Sequence, residues 1–257
     1  AATATVVAIL IGAVAMVAAA LTLPRARARC VRDWRGFGSP AMWRGVWALL
    51  GFGFVPAIAS GLELAGFSIL IALSTQLGET VTHAFQIVFS VHNVTFAFAL
   101  GLGSAAGVRA GNAVGEGDPA QAGPRPAIAA GLAALTLGLL ALPLIFAPIL
   151  VGGGSPASAA VATAAVAMLP LWGPFILFDG VQVVCVYALR SLGDQVMAGS
   201  NGIAAFFLLT GGIGLWTVHA GWGAEGLVAA SASGMVAAAL LNGGRLWWIT
   251  RRLRPKS

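Results

Sequence analysis

Residues 127–150 read AIAAGLAALTLGLLALPLIFAPIL, 24 residues without one charged side chain. About 20 apolar residues in a helix cross the roughly 30 Å of bilayer hydrocarbon, so this stretch predicts a transmembrane helix. Six further stretches read the same way: roughly 3–23, 46–74, 81–108, 157–189, 197–218 and 225–249. A membrane barrel would show alternating segments of about 10 residues in place of continuous runs. The sequence therefore predicts an all-α membrane protein, a polytopic bundle of seven transmembrane helices.

Composition points the same way. Of 257 residues, 59% are hydrophobic and 9% charged, against about 25% charged in a soluble domain. Mean hydropathy is +0.92. So little charge can neither cover a soluble globule nor keep a chain disordered. The formal charge of +6 suggests nucleic acid until the 14 cations are placed. Arg25, Arg27, Arg29, Arg32, Arg35 and Arg44 lie between the first two runs. Arg109 and Arg125 follow the third, Arg190 follows the fifth, and Arg245, Arg251, Arg252, Arg254 and Lys256 end the chain. The connections near 75–80, 151–156 and 219–224 carry no Lys or Arg. Seven crossings put every cation on one side, which the positive-inside rule makes cytoplasmic. The expectation is a multi-pass protein of the cytoplasmic (inner) membrane with no nucleic-acid partner.

A signal peptide carries its positive charge before the apolar stretch. Here the arginines follow it, at Pro24-Arg25-Ala26-Arg27-Ala28-Arg29, as in a stop-transfer helix. The first residues of this chain are thus expected outside and the last ones in the cytoplasm. Beginning on Ala1 in mid-crossing, the chain is expected to be a fragment. Trp43, Trp47, Trp216, Trp222, Trp247 and Trp248 stand at run ends, where indole rings sit at headgroup depth.

Enzyme chemistry finds no foothold. Lys256 is the only lysine, so no Walker A lysine follows a glycine loop. No Gly-x-Ser-x-Gly elbow is present. His83, His92 and His219 form no His-Glu-x-x-His pair, and Cys30 and Cys185 form no Cys-x-x-Cys. No catalytic residue is assigned and no cofactor is expected.

Asp33, Glu116, Asp118 and Asp194 read as solvated loop charges, and Glu79 and Glu225 as outer helix ends. Glu63 and Asp179 are different, because both lie well inside apolar runs. An acid at the bilayer centre costs about 2.5–3.5 kcal/mol on insertion scales and by default marks a functional site. Pro170 and Pro174 precede Asp179, and Pro56 precedes Glu63. Each proline removes a ladder hydrogen bond, so both acids are expected to follow helix breaks. Gln86, Ser90 and Asn93 share one face of the third run, with Thr82 a turn outward. Such a stripe lines a cavity or joins helices by hydrogen bonds. His92 lies off the stripe and reads as a packed histidine. Gly103, Gly107, Gly111 and Gly115 repeat every four residues, a face for close helix contact.

Three segments resemble the MATE family of multidrug and toxic-compound extrusion transporters. They are Pro56 through Glu63 to Leu77-Gly78; Val108-Arg109-Ala110-Gly111-Asn112-Ala113-Val114-Gly115-Glu116-Gly117-Asp118; and Phe178-Asp179-Gly180-Val181-Gln182 with Leu189-Arg190-Ser191-Leu192-Gly193-Asp194. The family usually has Gly where Ser191 stands. The resemblance implies helices six to twelve of a twelve-helix transporter. Residues 1–23 would be a transmembrane helix of the N-terminal lobe and 24–45 the cytoplasmic Arg-rich linker between lobes. Residues 46–249 would be the C-terminal six-helix lobe and 250–257 a cytoplasmic basic tail. The implied partners are membrane lipid, a small amphipathic substrate, and the missing N-terminal lobe of the same chain.

The resemblance is to the NorM-like branch, which implies that Glu63 and Asp179 bind the coupling cation, Na+ or H+. Phe175 falls at an aromatic position facing that cation, and Gln182, Gln86, Ser90 and Asn93 complete the cavity-lining candidates. Phe85 stands where many members have His, so no role carries over to it. The implied function is cation-coupled antiport exporting amphipathic, often cationic, drugs or metabolites by alternating access. The alternative is a lipid-linked oligosaccharide flippase of related topology. Counting from the flanking arginines, Glu63 is 19 residues from Arg44 and Asp179 is 11 from Arg190, a difference in depth of about 12 Å.

The topology is directly testable. In a background lacking Cys30 and Cys185, single cysteines at Gln76, Ser155 and Gly221 are expected to react with an impermeant thiol reagent from outside. A cysteine at Ser39 is expected to react only after permeabilisation. Labelling of Ser39 in intact cells would overturn the seven-span reading.

Overall fold

The computed structural model describes residues 2–22, 38–152 and 159–253. Residues 23–37, the end of the 151–156 connection, and residues 254–257 lie outside the described residues. With them lie most of the expected 24–45 linker, Cys30, Asp33, and half of the expected 250–257 tail. The described residues are almost wholly helical, with no strand among them. The chain divides into two units, 1–52 and 53–257.

The first unit holds α1, Ala2–Thr22, and the opening turns of α2, Pro40–Gln76. The start of α2 is written in its sequence. Ser39 Oγ accepts the Met42 N–H at 3.2 Å, and Pro40 fills the first helical position, where its missing donor costs nothing.

The second unit holds the rest of α2 and the remaining helices. These are α3 (Glu79–Gly115), α4 (Pro124–Phe146), the short α5 (Pro148–Gly152), α6 (Ala159–Trp172), α7 (Ile176–Ser191), α8 (Gln195–Gly202), α9 (Gly211–His219) and α10 (Gly223–Leu253). A 3₁₀ turn at Gly173–Phe175 joins α6 to α7, and a π-helical stretch, Ile203–Thr210, joins α8 to α9. Six of these continuous helical stretches are long and apolar enough to cross a membrane. They match the second to seventh apolar runs, extended by a few residues at most ends. In α1 the apolar stretch Ile9–Ala19 is shorter. The fourth run ends early, because the helix stops at Phe146 and Ala147 turns to φ −138°. The cause is Pro148, which disfavours helical backbone in the residue before it.

Both faces of these helices are apolar. On α4, Ala133, Leu137, Ala141 and Leu144 are buried. Ile128, Leu132, Leu135 and Leu139 are exposed, at the same three- and four-residue spacing. An apolar outer face belongs to a helix whose surroundings are lipid.

At the centre, α7 packs against α3, α4 and α10. The glycine repeat makes the α3 contact possible. A Cβ on Gly103 would stand 2.9 Å from a Val183 methyl, and one on Gly107 3.0 Å from the Tyr187 carbonyl oxygen. Contact loosens at Gly111 and is gone at Gly115. On α2, Gly66 lies directly against the backbone of Phe206 in the π stretch, while Gly61 faces open space. The α2–α3 turn needs the left-handed backbone of Gly78, at φ 101°.

Pro170 and Pro174 bear out a broken fifth span, which changes helix type at Gly173–Phe175. At Pro56 the expectation fails, because α2 remains one helix through it. A single proline removes one ladder bond, and the flanking turns keep theirs.

Gly66→Ala is expected to lower unfolding stability by about 1–3 kcal/mol through overpacking, whereas Gly61→Ala is expected to be neutral. Unfolding of the two purified variants in detergent measures the difference.

Candidate functional site

A slot of about 240 Å³ opens between α2, α3 and α7. From α2 it takes Ser60, Glu63 and Phe67; from α3, His92, Asn93 and Phe96; from α7, Gln182, Tyr187 and Arg190. It runs along the helices. Phe67 and His92 stand toward the end bearing the α2–α3 turn, and Arg190 toward the opposite end.

Asp179 lies behind the wall of this slot, only 2% exposed. Gln182, one turn further along α7, lines the slot itself. His92 Nδ1 approaches Asp179 Oδ2 to 4.0 Å, too long for a direct hydrogen bond. Glu63 is partly buried and lines the slot with Gln182 and Arg190. The two sequence-predicted acids thus belong to the helices of one slot, Glu63 on its wall and Asp179 behind it. Counting from arginines set their depths about 12 Å apart, but α2 is 37 residues long, about 55 Å, so its basic end is no measure of depth.

His92 reads differently in the structure than in the sequence. It is packed, as expected, among the rings of Phe67, Phe89, Phe96 and Trp172 at centroid distances of 5.5–5.7 Å. It also faces the slot, and its Nδ1 has no hydrogen-bond partner among the described residues. The polar stripe divides. Asn93 lines the slot, while Gln86 and Ser90 point away on the open face of α3. Ser90 Oγ donates back to the Gln86 carbonyl at 2.8 Å, which spends its one proton on its own helix. Phe175 is not in the slot either. It lines a separate groove with Trp222, Glu225 and α10. Residue 175 sits in the 3₁₀ turn, so the helical spacing that aligned it with Asp179 does not apply. Phe85 is wholly buried against Trp172.

Sequence reasoning also missed Arg190 as a wall residue, since a terminal arginine reads as a surface charge. Asp194 was expected to be solvated, but it is paired. Arg245 Nε and Nη2 donate to its two carboxylate oxygens at 2.7 and 3.2 Å, tying the start of α8 to α10. Arg251 and Arg252 stack on Trp247 and Trp248 at 3.8 and 3.5 Å. Asn201 donates to Asn242 Oδ1 at 3.2 Å, a buried polar link that apolar periodicity does not reveal.

Chemically, the slot offers carboxylate and amide oxygens, which suit a proton or a hard cation. Its walls are aromatic and aliphatic. The open helix faces around it belong to a lobe or bundle surface rather than to a closed reaction chamber.

Comparison with known proteins is consistent across three approaches. A family model, MatE, matches residues 56–210. The multidrug resistance protein NorM of Burkholderia vietnamiensis is 34% identical over 199 residues, covering 75% of this chain and 43% of that protein. A probable NorM of Deinococcus radiodurans is 31% identical over 212 residues, covering 79% of this chain and 47% of that protein. The chain therefore spans under half the length of these relatives. Among solved structures, the eukaryotic MATE transporter AtDTX14 superposes with TM-score 0.75 at 21% identity. It covers 84% of this chain and 50% of its own. A MOP superfamily transporter of Pyrococcus furiosus superposes at 0.67 with 17% identity, over 81% of this chain and 48% of its own. These likenesses establish a shared fold.

Slot access is expected to separate neighbouring residues of α3. In a cysteine-free background in detergent, Asn93→Cys should react readily with a small cationic thiol reagent. Thr95→Cys, at a position only 5% exposed, should resist it. Equal rates would contradict the slot.

Proposed function

The chain belongs to the MatE family, and on that premise we propose that it forms the cation-binding half of a multidrug exporter. Amphipathic, often cationic, compounds leave the cell as Na+ or protons enter. The observation that carries this reading is the slot lined by Glu63 and by Gln182, one turn along α7 from the buried Asp179.

The physical logic is competition for negative charge. A carboxylate removed from water is costly unless something compensates it. A proton, a sodium ion or an organic cation each compensates it, and occupancy by one excludes the others. Glu63 faces the slot and meets the mobile cation. Asp179 adds a second, buried acid on α7, one turn from Gln182 in the slot wall. Asn93 supplies a further amide at the rim, and His92 a ring nitrogen. The aromatic lining of Phe67, Phe89 and Phe96 suits a flat, apolar cation.

Such exchange needs two bodies rocking about the binding site. In this proposal residues 46–249 are one body, and the second is the N-terminal lobe to which residues 1–23 belong. The cations lie on the cytoplasmic side, the first residues of this chain outside and its last ones inside. The relatives are named as multidrug resistance proteins, which gives the flippase alternative no support.

Glu63→Gln and Asp179→Asn keep shape and some hydrogen bonding while deleting the ionisable group. In the full-length protein each is expected to abolish ion-driven efflux while leaving expression and melting unchanged. Normal efflux by both variants, at matched expression, would overturn the assignment.

A further inference from the structure

One charge on the slot wall has no part in the exchange described above. Arg190 occupies the last turn of α7 and lines the same cavity as Glu63. Its Nε is buried and has no hydrogen-bond partner among the described residues. Its guanidinium carbon stands 5.8 Å from the centroid of the Tyr187 ring, a face that steadies a cation without neutralising it.

Four other arginines of the helix ends are already engaged. Arg125 is paired with Glu116 at 2.9 Å and Arg245 with Asp194 at 2.7 Å. Arg251 and Arg252 lie flat on indole rings at 3.8 and 3.5 Å. Arg190 makes no ion pair among the described residues, and Glu63 is the one carboxylate lining its cavity. Glu63 likewise makes none. Two opposite charges thus face one confined, largely apolar space without being joined.

An arginine side chain is long, always charged and rich in donors. From the end of α7 it can swing along the slot, whereas Asp179 is locked within the bundle. We propose that Arg190 is a tethered counter-cation for Glu63, facing it across the slot and competing with any mobile cation for its charge. The inference rests on the reading of Glu63 as the cation-binding acid. It supplies what that reading lacks, a fixed positive charge opposite the carboxylate. Whenever the tethered charge closes on Glu63 the site is unavailable, which lowers the apparent affinity for every mobile cation by that fraction. The slot therefore releases its cargo more readily than an unopposed carboxylate would.

The test is binding of tetraphenylphosphonium, a permanent apolar monocation, to the purified full-length protein by calorimetry. Arg190→Gln removes the competitor and is expected to tighten binding about tenfold or more. Arg190→Lys keeps the charge and should stay near wild type. Arg125→Gln, at an arginine already spent on Glu116, should change nothing. In the Glu63→Gln background, Arg190→Gln should bring no gain, because there is no carboxylate to compete for. Arg190→Met provides the same comparison if the glutamine variant fails to fold.

Unchanged or weaker binding by a folded Arg190→Gln or Arg190→Met protein would overturn the inference while leaving the transport reading intact. So would a gain that persists without Glu63, since that is a general repulsion of cations. Absence of both binding and efflux of any cationic probe in the wild type would remove the transport reading, and this inference with it.

Discussion

The slot depends on how closely α7 approaches α3. Without side chains at Gly103 and Gly107, Val183 and the backbone of Tyr187 sit directly against the α3 backbone. That approach brings Asp179 to within 4.0 Å of His92 and sets Gln182, Tyr187 and Arg190 opposite Asn93 and Phe96. In a membrane, helices gain little from burying apolar surface against one another, because lipid is as apolar as leucine. Association rests on close packing and on polar contacts. The glycine face supplies the first, and the Asn201–Asn242 and Asp194–Arg245 links supply the second.

Most of the fold was legible because lipid imposes one requirement on a whole helix. Apolar residues must cover both faces, so runs show in the sequence before any packing is known. The family showed in short motifs, and the two acids showed because a charge inside an apolar run has few innocent explanations. What could not be read was which way side chains turn. Gln86 and Ser90 share a face with Asn93, yet only Asn93 reaches the slot, since the cavity spans a few turns and the stripe runs past it. His92 looked out of place beside that stripe. It comes to 4.0 Å from Asp179 because the buried face of α3, carrying Ala84, Val88, His92 and Thr95, is the one toward α7. Only tertiary packing reveals this.

Charged residues at helix ends were the other hidden part. Position alone assigns Asp194, Arg190 and Arg245 to water. The structure gives them two different environments: Asp194 and Arg245 clamp α8 to α10, while Arg190 turns along its own helix into the slot. The difference lies in what stands one turn away. Arg245 finds a carboxylate 51 positions off in the chain. Arg190 finds Tyr187 and a cavity.

The two intramembrane acids differ in how their helices carry them. Asp179 follows a change of helix type at Gly173–Phe175, and it lies in the first turn of α7. There the Ile176 N–H is already bonded to the Gly173 carbonyl, so the helical run passes the change of type without a free end and holds the carboxylate in one place. Glu63 lies in the interior of the unbroken α2, on the slot wall. Its charge must be met from across the slot. The broken span thus makes Asp179 a fixed element of the site, and the continuous one leaves Glu63 dependent on whatever cation the slot contains.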